Sequence, residues 1–206
     1  MIMTQKIRIE RIRIGISRVY VAMIVALISM TESYWSTSFP PLTSAMIITA
    51  IVLVITASVG RLWCSLYIAG YKTNHLVTQG PYSMCRNPLY FFSFLGAVGV
   101  GLATETFLIP VLIITAFAVY YPLVIKDEEQ DLKRRHKESF EQYEKQVPRF
   151  FPKLSLLREP ASYQVNPVIF KNHIFDVIWF GFSMGILEII EECHRLDLFP
   201  SILKIY

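Results

Sequence analysis

Charge is scarce in this chain: Asp, Glu, Lys and Arg supply only 17% of its 206 residues, against about 25% in soluble domains. Cysteine is scarcer still. Cys64, Cys85 and Cys193 are odd in number and far apart, which excludes a disulfide framework. No cysteine pair has zinc-finger spacing, and the adjacent Cys193 and His194 do not make a metal site by themselves. No metal is therefore expected. The net charge is only +4, and no nucleic-acid partner is expected. Internal repeats and low-complexity tracts are absent.

What is present is apolar. Hydrophobic residues make up 53%, mean hydropathy is +0.43, and the apolar residues fall in runs too long for a soluble core. A membrane span needs about 20 mostly apolar residues. Four stretches qualify as expected spans: 14–30, 42–71, 88–103 and 107–125. Only "TET" separates the last two, so they should form a tight antiparallel hairpin. Basic residues then sort by side. Lys6, Arg8, Arg11, Arg13 and Arg18 precede the first span, Lys72 and Arg86 lie between the second and third, and nine Lys or Arg fall in 126–158. "TESYWSTSFPP" and "TET" hold none. By the positive-inside rule the N-terminus is cytoplasmic, and its basic stretch leads into a retained first helix rather than a cleaved signal.

Beyond the fourth span, Leu132, His136, Phe140, Tyr143 and Val147 recur every three or four residues, one narrow apolar stripe on a charged segment. This predicts a cytosolic amphipathic helix ended by Pro148. The expected fold is an all-α integral membrane bundle of four transmembrane helices, with residues 1–158 as the core. The extension 159–206 contains "IFDVIWFGFSMGILEII", for which a fifth span, a re-entrant piece and an interfacial helix are all open; Asp176 and Glu188 favour an interfacial or protein-covered helix.

The topology brings two stretches to the same face. The first, "LVTQGPYSMCRNPLYF" (76–91), contains turn and helix-start residues: Gly80-Pro81, then Asn87-Pro88 as N-cap and first helical position. Those four need no ligand to explain them. Arg86 and the rings of Tyr82 and Tyr90 read singly as a topology anchor and interface residues, yet all fall within nine positions. A helix N-terminus with a nearby arginine suits an anionic group, and aromatic faces suit a planar or cationic one. The second stretch, "DEEQDL", begins at Asp127. Glu128 lies four residues before Leu132 and so on the inward stripe, a candidate ligand group.

"NHLVTQGPYSMCRNPLYF", a hydrophobic hairpin, and then "EEQDLKRRHKESFEQYEKQVPRFFP" together resemble the isoprenylcysteine carboxyl methyltransferase family. The wider group that includes phospholipid N-methyltransferases is similar too. The likeness covers about 72–152. It implies a small all-helical membrane enzyme that uses S-adenosylmethionine, with its donor pocket at the cytosolic face. Carried onto matching positions, it implies donor contacts from His75, Leu76, Val77, Tyr82, Asn87, Pro88 and Tyr90, with Glu128 on the donor's methionine portion. Arg86 would organise the turn or meet the donor carboxylate, and Glu129 would face the substrate. The pattern is broken at three places: its histidine is Asn87, the arginine four residues before the first matched acid is Val124, and a glycine ten or so residues later is Lys137.

The acceptor implied is lipophilic and enters from the bilayer, with a carboxylate, an amine or a thiol all open. His75 and His136 are the candidate bases by side-chain type. A nicotinamide-dependent sterol reductase, which is similar near the Arg-Asn-Pro-Leu-Tyr region, would be a longer chain. A structural membrane protein would explain each residue singly but not their convergence.

Overall fold

The computed structural model describes residues 19–20, 22–69, 75–196, 198 and 203–205. The basic lead, the first part of the first expected span, and Lys72 lie outside them. Helical residues 19–20 and 22–30 form α1, followed by a three-residue strand β1 (Thr31–Ser33) and a single turn α2 (Tyr34–Ser38). The long α3 (Pro40–Ile68), the short α4 (Pro81–Met84), α5 (Pro88–Leu102), α6 (Leu108–Gln146) and α7 (Pro167–Arg195) make up the rest. A second short strand, β2 (Leu203–Ile205), pairs in parallel with β1, Thr31 opposite Leu203.

The chain is an all-α membrane bundle. α3, α6 and α7 are each long and apolar enough to cross a bilayer. At 15 residues, α5 measures only about 22 Å, short of the ~30 Å hydrocarbon layer.

α3 and α5 form the central pair, and small residues let them approach. Ala50, Ala57 and Cys64 are fully buried along one seam of α3, spaced seven apart. Gly60 on that seam receives the Phe92 ring; a Cβ there would lie 2.2 Å from a ring carbon. Without hydrophobic drive between helices in lipid, close packing of this kind supplies the attraction. The two helices run antiparallel, because Gly99 near the end of α5 meets Ala50 and Val54 early in α3.

α7 occupies most of the extension 159–206 and is long and apolar enough for the fifth span that the sequence leaves open. It is 29 residues long, begins beside the end of α3 (Asn166 N–H to Ala69 O, 3.4 Å) and finishes beside α1 (His194 Nε2 to Ser29 O, 3.1 Å). It therefore runs antiparallel to α3 along its length, with Trp179, Phe182, Ile186 and Ile189 exposed. Asn166 caps its start, accepting from Val168 and Ile169 N–H at 3.1 and 3.2 Å.

The amphipathic stretch continues the fourth span without a break as far as Lys137, where φ is 41° and ψ −116° and a second helical segment begins, both within α6. The chain folds back there. Lys133 Nζ lies 3.3 Å from Glu141 and 4.0 Å from Glu144; eleven residues of straight helix would separate the latter pair by about 16 Å. The stripe itself holds, with Phe140 and Tyr143 buried.

Positive φ at a lysine is strained, and the family resemblance has glycine at this corner. Lys137→Gly is expected to stabilise the protein by about 1 kcal/mol, read as a higher thermal midpoint in detergent; a lower midpoint would show that the lysine side chain itself holds the corner.

Candidate functional site

Gly80 starts the site. Its φ of +58° is easy only for glycine, and a Cβ would strike the Tyr67 ring at 2.3 Å. Its N–H donates to Arg158 O at 2.8 Å. The segment after α6 then laces along this turn: Arg86 N–H donates to Pro148 O (2.8 Å), Lys153 N–H to Met84 O (3.0 Å) and Arg158 N–H to Ser83 Oγ (2.9 Å). Pro81 and Pro88 occupy the first turns of α4 and α5, as their fixed φ favours. Asn87 sits at the N-cap of α5, but its side chain does not cap.

Asn87 turns instead to Glu129, donating from Nδ2 to Oε1 at 3.0 Å and to Arg149 O at 3.0 Å. Glu129 Oε1 also accepts from Arg86 Nε, and Oε2 from Arg149 Nε, each at 3.0 Å. Arg86 Nη1 reaches Glu144 O at 2.9 Å. Glu129 and Arg86 are both largely buried. The resemblance implies Glu129 as a catalytic group on the substrate side and Arg86 at the turn or on the donor carboxylate. Here Glu129 lies behind the cavity with both oxygens taken, and Arg86 is tied to it, so the pair joins α6 to the turn. Helical rotation explains the difference: neighbours on a helix point about 100° apart, and one step from Glu128 turns the next carboxylate into the packed interior.

In front of this clamp is a cavity of about 310 Å³. His75, Leu76, Val77, Tyr82, Arg86, Asn87, Tyr90 and Glu128 all line it; Pro88 lies buried in the first turn of α5. Tyr90 donates its hydroxyl to Glu128 Oε1 at 2.8 Å, and its ring meets Tyr121 edge-on at 5.2 Å. Tyr121, outside the cavity lining, in turn stacks on Phe117 at 4.0 Å. A second cavity of about 470 Å³, more polar, shares His75, Leu76 and Tyr143 with the first. His136 lines it with a buried Nε2 that has no hydrogen-bond partner.

Sequence reasoning left out several lining residues. Asp131, Leu132 and Arg135 follow Glu128 at +3, +4 and +7 and share its face, so the helical period carried that signal. Arg149 could not have been found; it comes from beyond the Lys137 corner. Tyr143 donates its hydroxyl to Tyr82 O at 2.7 Å, and burial raises both phenols. Burial likewise pushes the Cys85 thiol up to about 12, so it stays protonated and is no nucleophile. Among the described residues, no three His, Cys, Asp or Glu side chains converge on a point that could hold a metal ion.

Comparison with known proteins bears on the same region. A family model described as phospholipid methyltransferase matches residues 42–139. The chain is 41% identical over 193 residues to the nickel-cobalt-cadmium resistance protein NccN of Alcaligenes xylosoxydans xylosoxydans, covering 94% of this chain and 89% of that protein. It is 39% identical over 192 residues to the cobalt-zinc-cadmium resistance protein CzcN of Cupriavidus metallidurans, covering 93% and 84%. No solved structure matches.

The two adjacent acids should behave differently. Glu129→Ala strands two arginines and is expected to cost about 3–5 kcal/mol, whereas Glu128→Ala should stay within about 1 kcal/mol. Thermal unfolding in detergent checks both, and equal losses would contradict the division of roles.

Proposed function

Because the chain belongs to the phospholipid methyltransferase family, we propose that it transfers a methyl group from S-adenosylmethionine to a lipophilic acceptor drawn from the bilayer. The observation that carries this reading is the Tyr90–Glu128 hydrogen bond at 2.8 Å. It joins the two matched stretches at the edge of one cavity, with an acid, a cation and aromatic rings around it.

The lining suits that donor, which bears an ammonium, a carboxylate, a sulfonium and an adenine. Glu128 and Asp131 offer carboxylates for the ammonium. Arg135 and the open N-terminal turn of α5, whose side-chain cap is missing, offer positive potential for the carboxylate. The rings of Tyr82 and Tyr90 offer flat apolar faces, and Leu76 and Val77 exclude water. When bound, the donor supplies an activated methyl whose bond to sulfur breaks as the acceptor's lone pair forms the new one. The protein's work is then positioning and dehydration. Glu129 and Arg86 are positioning residues here, holding Asn87 and the start of α5 in register with α6. An amine or thiol acceptor also sheds a proton, for which His75, on the donor cavity, and His136, on the adjoining one, are the candidate bases. A carboxylate acceptor needs no base.

The positive-inside rule puts the cavity end in the cytoplasm. The relatives' names concern resistance to nickel, cobalt, cadmium and zinc; methylating a head group changes the surface a cation meets, which accommodates those names without a metal site among the described residues.

Calorimetry with S-adenosylmethionine is the test. Wild-type protein should bind it, and Glu128→Ala should lose affinity by about tenfold or more. A folded Glu128→Ala variant with unchanged affinity would remove Glu128 from the donor site, and a wild type that binds no donor would end the proposal.

A further inference from the structure

Arg61 has no place in the site above, yet it is the most costly side chain in the bundle. It lies inside α3, seven residues before that helix ends, in a segment apolar enough to cross a membrane. An intramembrane arginine is expensive by several kcal/mol. One close to the end of a span can lower this cost by extending toward the head groups. Arg61 does not extend that way. Its guanidinium turns inward, donating from Nη1 to Ser93 Oγ on α5 and lying 5.8 Å from the centre of the Phe180 ring on α7.

Neither contact neutralises the charge. Its Nε is buried and without a hydrogen-bond partner, and among the described residues no carboxylate reaches ion-pair distance of it. The other arginines of this end are differently placed: Arg86 and Arg149 share Glu129. Depth matters as much as charge. Ser93 lies three residues beyond Tyr90 on α5, so the guanidinium sits about one helical turn, ~5 Å, farther into the bundle than the Tyr90 ring. Ile68, one of the cavity-lining residues, is seven residues beyond Arg61 and shares its face of α3. Arg61 as a whole residue is only half-buried.

We propose that Arg61 receives the anionic oxygen group, a phosphate or a carboxylate, of the lipophilic acceptor. This rests on the methyl-transfer reading for its purpose, though not for its chemistry. An acceptor held there has its charged group directly beneath the donor cavity and its chains toward lipid. A planar guanidinium whose Nε–H lacks a partner suits such oxygens geometrically. Acceptors lacking an anion are then selected against, since they leave the arginine uncompensated.

The test uses purified protein in detergent, offered phosphatidylethanolamine, palmitate or an uncharged diacylglycerol, with retained lipid counted by native mass spectrometry. Wild type should hold an anion-bearing lipid over diacylglycerol by about tenfold or more. Preference for phosphatidylethanolamine points to a phosphate, and preference for palmitate to a carboxylate. Arg61→Gln should lose the preference and Arg61→Lys keep most of it, with donor affinity unchanged in both. Diacylglycerol retained as well as the others by wild type overturns the proposal, as does a folded Arg61→Gln that keeps its preference. If Arg61→Gln does not fold, the wild-type ratio decides. Anion preference in a protein that binds no donor would leave Arg61 assigned and remove the methyl-transfer reading instead.

Discussion

Three chain segments meet on one carboxylate. Glu129 accepts from Arg86 and Asn87 in the turn before α5 and from Arg149 in the strap after α6. Each donor is charged or buried, so the contacts are of the strong, charge-assisted kind. A buried acid of this sort is tolerable only with its partners in place. That requirement fixes the turn against α6, and with it the spacing between Tyr90 and Glu128. The cavity is a consequence of the clamp behind it.

The clamp also accounts for the chain's odd route after the fourth span. Arg149 can reach Glu129 only if the chain reverses, and the reversal occurs at Lys137 with a backbone conformation that costs energy at a lysine. Beyond it, Phe140 and Tyr143 pack inward, and the strap 148–158 hydrogen-bonds along 80–86. The strained corner and the buried ion cluster are two parts of one device, which closes the basic end of the bundle over a space for a ligand.

Side by side, Glu128 and Glu129 show what was readable. The helical stripe through Leu132, Phe140 and Tyr143 marked the stretch of α6 that carries both acids. It did not separate their roles, because the partner that claims Glu129 lies twenty residues on, around a corner no local pattern announces. Asn87 is similar: its position at a helix start was evident, yet its side chain is spent on Glu129 rather than on the cap.

The sequence by itself determined the membrane class, the apolar helices and the converging stretches, because hydropathy, prolines and the period of a helix are local properties of the chain. The tertiary structure alone decided which acid is a clamp and which faces the cavity, where Lys137 turns the chain, and that Arg61 points into the bundle without a counter-ion. Those depend on contacts between residues distant along the chain, and pairing energies between buried charges exist only once packing has removed the water between them.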